Sequence, residues 1–300
     1  MDYKKIIRSQ QLRFKILGLL KWVPDSWMLP LQYRIKQGFW PDFKHPKRFT
    51  EKLQLYKMRY RNSVMHQCVD KYEVRKYVES KGLGHILNEL YGVYDKPEDI
   101  DFSMLPQSFV IKTTDGGGGL NVIVVKDKDT ADYNVILKKL NLWNHRKKSS
   151  ANVGREWAYD GDNPSRIIIE KLLEDSLTPS LIDYKFFCFN GVPVYCQVIT
   201  GRWDTECIDF FDEKWNHQSF VGLNSLVGNA KIEPHKPSNY EEMWKLAGQL
   251  AADFPFVRVD LYSVLGKTVF GEMTFYPASG YGFFKPDSTD FELGSYFTEY

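Results

Sequence analysis

Two carboxylates late in the chain carry the strongest chemical signal. In Val257-Arg258-Val259-Asp260-Leu261-Tyr262 and again in Val269-Phe270-Gly271-Glu272-Met273-Thr274 apolar and polar residues alternate, and Gly266 lies midway between Asp260 and Glu272. The pattern predicts a hairpin that sets the two carboxylates opposite each other. Directly opposed like charges destabilise a strand pair, whereas a hard cation held between them turns the repulsion into a binding site. Magnesium suits that role. The competing reading is a solvated hairpin face, with one carboxylate on Arg258 and the other in water.

Earlier stretches supply cations and a glycine run. Ser108 to Lys112 and Asn121 to Val125 read as strands on either side of Gly116-Gly117-Gly118-Gly119. Four consecutive glycines are costly to order, so they read as a flap whose amides close over phosphates, with Lys112 as a fixed positive charge. No Gly-Lys-Ser/Thr follows, which excludes a Walker A loop; a plain hairpin turn is the simpler alternative. Arg166 to Glu170 reads as a buried strand ending on an acid, followed by Lys171-Leu172-Leu173. Asn190-Gly191 joins Ile182–Phe189 to Val192–Val198, a type I′ hairpin signal. Alternation there puts Asp183 and Lys185 on one face, where a weak surface ion pair is the alternative.

Other elements must hold these groups. Residues 1 to 40 carry eight lysines and arginines against Asp2 and Asp25. Leu12, Ile16, Leu19, Leu20 and Val23 share one helical face, with Pro24 and Pro30 expected to end the helix. That helix either packs on the domain or lies on an anionic membrane face. From Lys44 to Arg61 the charge is again mostly positive, and Thr50 and Gln54 bracket a helix through Leu53, Tyr56 and Tyr60 whose charges read as a solvated face. Asp70-Lys71-Tyr72-Glu73 has capping-box order before Val74, Tyr77 and Val78, with a stop near Gly82 and Gly84. Tyr91 to Tyr94 is a short strand, Trp143 to Gly154 a polar basic loop or lid, and Trp203 to Trp215 a segment crossing the sheet. Asn239 to Ala252 is a helix leading into the late hairpin.

Composition sets outer bounds. A 300-residue chain with 43% hydrophobic residues can bury a large core, and 40 basic against 38 acidic residues give no global field that points to nucleic acid. Cys68, Cys188, Cys196 and Cys207 form no CxxC pair, so buried free thiols in a reducing, cytoplasmic setting are expected. No signal-peptide order opens the sequence, and no apolar run approaches the roughly 20 residues that span a bilayer.

Taken in order, these features resemble the ATP-grasp superfamily, and from about Lys44 to Gly294 the TupA-like ATP-grasp family of bacterial surface-polysaccharide clusters. The matching stretches are Arg48-Phe49-Thr50-Glu51-Lys52-Leu53-Gln54, Asp70-Lys71-Tyr72-Glu73-Val74-Arg75, Asp183-Tyr184-Lys185 through Asn190-Gly191, and Arg258-Val259-Asp260 through Glu272-Met273-Thr274 to Ser279-Gly280. The resemblance implies an α+β ATP-grasp fold over residues 44–300, in which two antiparallel-sheet subdomains grip ATP. The lid would span about 106–173 and the C-terminal sheet about 180–300, behind an N-terminal helical extension at 1–43.

It also implies roles. Lys71 and Lys112 would contact the α- and β-phosphates, and Gly116, Gly117, Gly118 and Gly119 would cover the β- and γ-phosphates. Glu170, with the backbone from Lys171 to Leu173, would hold adenine and ribose; Asp183 would take a ribose hydroxyl and Lys185 a phosphate. Asp260 and Glu272 would bind magnesium, Arg258 would face the transferred phosphoryl group or the acyl phosphate, and Thr274 stands where many members place an asparagine as third ligand. The implied activity is ATP-dependent ligation of an amino acid or small amine to a uronic acid carboxylate in capsule, O-antigen or cell-wall polysaccharide. Two alternatives are a glycosyltransferase, against which stands the lack of a D-x-D run among Asp204, Asp209 and Asp212, and a non-catalytic membrane-associated assembly factor motivated by residues 1–40.

Overall fold

Runs of alternating or continuous apolar residues form two antiparallel sheets in the computed structural model, which describes residues 10–116, 121–144, 153–175, 180–202, 205–224 and 226–300. The first sheet joins β1 (Leu90–Tyr94), β2 (Phe109–Thr113), β3 (Val122–Val125) and β4 (Ile167–Lys171) in the order β1-β4-β2-β3. Its core packs Phe109, Ile111, Ile167 and Ile169 against Ile136 and Leu140 of the helix Tyr133–Asn144. That helix is missing from the sequence expectations, although Ile136, Leu140 and Trp143 recur at helical spacing.

The remaining strands are β5 (Asp183–Phe189), β6 (Val192–Thr200), β7 (Cys207–Phe211), β8 (His217–Gln218), β9 (Val221–Gly222), β10 (Phe256–Val264), β11 (Lys267–Thr274) and β12 (Phe284–Lys285). Six of them form the larger sheet, β11-β10-β5-β6-β7-β8, while β9 pairs with β12. Within Trp203–Trp215 the chain does not cross the sheet as expected: β7 extends it, antiparallel to β6. Asn190 and Gly191 both have positive φ, as a type I′ turn requires. Against this sheet pack the helix Tyr240–Ala251, through Met243, Ala247 and Leu250, and the helix Phe49–Arg59, whose Phe49 ring lies 4.9 Å from that of Phe256. Cys68, Cys188 and Cys196 are buried free thiols, as expected, and Cys207 is half-buried.

Two expectations about the helices fail for physical reasons. Phe49–Arg59 keeps only part of its charge in solvent: Arg59 is exposed, but Glu51 and Lys57 are buried. The Glu51 carboxylate instead accepts the amides of Asp42 at 2.9 Å and of Lys47 and Arg48 at 3.1 Å, which fastens the chain entering the helix. Pro30 does not end a helix either; it lies inside Asp25–Gln37. Burial of Met28, Leu29 and Tyr33 on one face outweighs the single hydrogen bond that proline forgoes.

The late hairpin reaches its expected register by an unexpected route. Leu265 and Gly266, with φ of 50° and 76°, form a two-residue turn closed by Val264 opposite Lys267. A regular ladder from that turn would set Asp260 against Gly271. The ladder slips between Asp260 and Leu261, so that Leu261 faces Phe270 and Asp260 faces Glu272, leaving Gly271 as the extra residue of a bulge. A Cβ there would meet the Asp260 carbonyl oxygen at 2.9 Å. Gly271→Ala is therefore expected to destabilise by about 1–3 kcal/mol, read as a lowered melting midpoint.

Candidate active site

The centre of the larger sheet carries a polar row. Gln197 pairs with Lys185, Lys185 with Asp260 and Asp260 with Glu272, so four side chains on the adjacent strands β6, β5, β10 and β11 share one face. Arg258 and Thr274, paired one step along, join them. Gln197, Lys185, Arg258, Glu272 and Thr274 line a cavity of about 470 Å³, which Lys71 and Gly116 also reach.

Asp260 sits at the electrostatic hub. Arg258 Nε donates to its Oδ1 and Nη2 to its Oδ2, both at 2.7 Å, and Lys185 Nζ donates to Oδ2. Burial pushes the Asp260 carboxyl up, but Arg258 and Lys185 together hold it below its ordinary value. Lys185 also lies 3.3 Å from Asp183 Oδ1, and Arg202 is 3.1 Å from Asp183 Oδ2. Arg258 Nη2 stands 3.6 Å from Glu272 Oε1 and donates to Thr274 Oγ1 at 3.1 Å. The opposed carboxylates thus share a guanidinium. Asp260 is on Arg258, as in the competing sequence reading, yet it is 2% exposed, and only Glu272, with a side chain 41% exposed, meets solvent.

Glu272 can join a magnesium shell completed by phosphate oxygens and water, whereas both Asp260 oxygens are engaged by Arg258 and Lys185, so Asp260 would serve as a ligand only by exchanging one of those partners. Asp260 and Glu272 share a face and Glu272 opens into the cavity, while among the described residues no group of three acids, histidines or cysteines provides a cage.

Lys71 approaches from the other side of the chain. Asp70 accepts the amides of Tyr72 and Glu73 at 2.9 Å and so fixes the turn that leads into the helix Val74–Ser80; Glu73, at the N-cap of that helix, turns to Lys76 and Arg166 and does not close a capping box. This fixes Lys71, whose amide donates to Thr114 and whose ammonium donates to the Gly116 carbonyl. Burial lowers the Lys71 ammonium from its ordinary value, and Glu272 is the foremost charge opposing that shift. Lys71, Gly116, Lys185, Arg258, Glu272 and Thr274 are therefore assembled at one cavity, with Asp183 and Asp260 bonded beneath it.

Lys112, Glu170, Lys171 and Leu173 do not line that cavity. Glu170 is bound by Lys112 at 2.9 Å and Arg75 at 3.3 Å, and Lys171 is an exposed residue 3.7 Å from Glu89. Gly117, Gly118 and Gly119 lie outside the described residues. Tyr159, Gln197, Arg202, Glu206 and Asn224 line the cavity and were not singled out from sequence. Gln197 offered a signal, a lone amide in an apolar strand; it is buried, and its Oε1 has no hydrogen-bond partner among the described residues.

The turn Pro277–Gly280 brings Ala278 to the rim, with Ala278 and Ser279 both at left-handed φ. Such backbone costs roughly 1–2 kcal/mol per residue and needs outside support. Lys57 Nζ donates to the Ser279 carbonyl at 2.6 Å and to Ser279 Oγ and the Gly154 carbonyl at 3.1 Å; Gln54 Nε2 donates to the Gly280 carbonyl at 2.8 Å. Lys57→Met is expected to cost about 2–4 kcal/mol by orphaning these carbonyls, read as a lowered melting midpoint.

A sequence profile described as TupA-like ATP-grasp matches residues 51–298. No match is found among curated proteins. Among solved structures, D-alanine–D-alanine ligase from Bacillus anthracis complexed with ATP is 16% identical, covering 70% of this chain and 54% of its own, with a TM-score of 0.40. The Helicobacter pylori D-alanine–D-alanine ligase is 14% identical over 83% of this chain and 69% of its own, with a TM-score of 0.44. L-amino acid ligase from Bacillus licheniformis is 13% identical over 73% of this chain and 43% of its own, with a TM-score of 0.42. The chain spans about half the length of the first of these.

Proposed function

Because this chain belongs to the TupA-like ATP-grasp family, we propose that it is an ATP-dependent ligase joining the carboxylate of a uronic acid in a bacterial surface polysaccharide to an amino acid or other small amine. One observation supports the ATP chemistry above the rest. The row Gln197, Lys185, Asp260 and Glu272 faces a cavity into which Lys71 and Arg258 also project. Four cations, Lys71, Lys185, Arg202 and Arg258, and two carboxylates, Glu206 and Glu272, around 470 Å³ suit a polyphosphate and a reacting carboxylate. The glycan acceptor and the amine rest on the family resemblance alone.

A carboxylate resists amine attack because oxide is its leaving group; phosphorylation makes the leaving group phosphate. In the first step a carboxylate oxygen attacks the γ-phosphorus and ADP departs. In the second the amine nitrogen attacks the acyl carbon, phosphate departs and the nitrogen loses a proton. Lys71, Lys185 and Arg258 hold the phosphates and the developing charge in line. Asp260 and Glu272 would hold magnesium, which when bound spreads charge over the β- and γ-oxygens. Asp183 would take the ribose hydroxyl, Lys112 a phosphate, and Glu170 with the backbone of Lys171 to Leu173 the purine, once the two sheets close over ATP. Amides from Gly116 to Gly119 would cover the phosphates and keep water from the acyl phosphate.

The test uses a uronic acid labelled with heavy oxygen in its carboxylate, together with ATP, magnesium and a panel of amino acids. Transfer of label into inorganic phosphate along with ADP is expected. ADP released without label in the phosphate contradicts the acyl phosphate.

A further inference from the structure

The helix Asp25–Gln37 is apolar on two faces, and only one of them is used. Met28, Leu29 and Tyr33 are buried against the domain. Trp27, Leu31 and Ile35, at i, i+4 and i+8, form a second row that is exposed, Trp27 to 76%. Trp22, 80% exposed, precedes this helix, and Trp40, also exposed, follows it. The preceding helix, Gln10–Leu19, exposes Ile16 and Leu19 as well. Scattered single apolar residues need no explanation, but a regular row flanked by tryptophans is a surface in search of a partner.

Charge identifies the partner. Residues 10–40 contain Arg13, Lys15, Lys21, Arg34 and Lys36 against one acid, Asp25, and Asp25 is paired with Arg155 at 2.6 Å. Two copies meeting through this face would oppose basic residues to basic residues. An anionic lipid surface instead takes the cations at its headgroups, the tryptophans at its interface and the aliphatic row just below. No described helix is long and apolar enough to cross a membrane, which leaves attachment in the plane of the surface. We propose that the segment from Lys15 to Trp40 docks this protein on an anionic bilayer surface through Trp22 and the row Trp27, Leu31 and Ile35. The inference is independent of the ligase reading, since none of these residues lines the large cavity.

Flotation of the full chain with vesicles of phosphatidylcholine alone, or of phosphatidylcholine mixed with phosphatidylglycerol, tests it. Binding to the mixed vesicles only is expected, weakening as salt is raised. A Trp27→Ser, Leu31→Ser, Ile35→Ser triple variant should bind at least about tenfold more weakly, and so should Lys15→Gln, Lys21→Gln, Arg34→Gln. Both sets alter exposed residues, so unchanged melting and unchanged ADP formation should accompany the loss. Failure of the parent to float with either vesicle, or equal binding by parent and variants, overturns the proposal. Concentration-dependent self-association that the triple variant abolishes also overturns it and names a second copy as the occupant.

Discussion

Glu272→Gln is expected to lower ATP turnover by about a thousandfold while leaving the melting midpoint unchanged. The two readouts separate because Glu272 is the half-open member of the carboxylate pair: its contact with Arg258 is 3.6 Å and its side chain is 41% exposed. Exposed ion pairs contribute about 0–1 kcal/mol, so the fold loses little when the charge is removed. The site loses a carboxylate facing the cavity and the foremost charge opposing the burial of Lys71. Asp260→Asn should reduce turnover as strongly but also lower stability, because its carboxylate is buried on two cations. Retained turnover in both variants would remove the metal and phosphate assignments together.

Lys185→Met should act on both fold and chemistry. Its ammonium bridges Asp260 and Asp183, all three being buried. Breaking a buried pair by removing one partner costs about 3–5 kcal/mol, and the low end, about 3 kcal/mol, is expected because Arg258 and Arg202 remain. The midpoint should then fall on the order of 5–10 °C, with turnover lost along with the phosphate contact proposed for Lys185. The same network sets an acid limit. Asp260 is held below its ordinary carboxyl value in the folded chain, so its contribution to stability is fully present above the unfolded carboxyl value of about 3.9. It is lost as pH falls through the depressed folded value. Urea melts at descending pH should show Asp260→Asn losing less stability than the parent across that window. A parallel fall in both would contradict the arrangement.

The pairing of Asp260 with Glu272 was legible because strand alternation and a glycine turn are local properties. The route to it was not: a two-residue turn at Leu265-Gly266 would have missed the register, and the compensating bulge at Gly271 depends on the backbone of β10 lying too close for a side chain. Asp183 and Lys185 could be placed on one face from β5 alone, but not their burial or their union with Asp260, since nothing local says that β5 lies beside β10. Gln197 entered the row by the same long-range pairing. Lys57 read as a solvated helical charge because its acceptors, at Gly154 and Ser279, are roughly a hundred and two hundred residues away. Matched stretches such as Arg48–Gln54 pointed to the family without showing what they do; here Glu51 and Gln54 prove to be clamps on neighbouring backbone.

An adenine-nucleotide site completed by magnesium at Asp260 and Glu272 is what we propose for the large cavity. It is tested most directly by thermal melting of the purified protein with ATP, ADP, UDP or UDP-sugars, each with and without magnesium. A ligand at a hundred times its dissociation constant stabilises by about 2.7 kcal/mol, which raises the midpoint by several degrees. Such a shift is expected with ATP and ADP, dependent on magnesium and absent in Glu272→Gln. A shift with UDP-sugars and none with ATP would contradict it and turn the same acids toward glycosyl transfer.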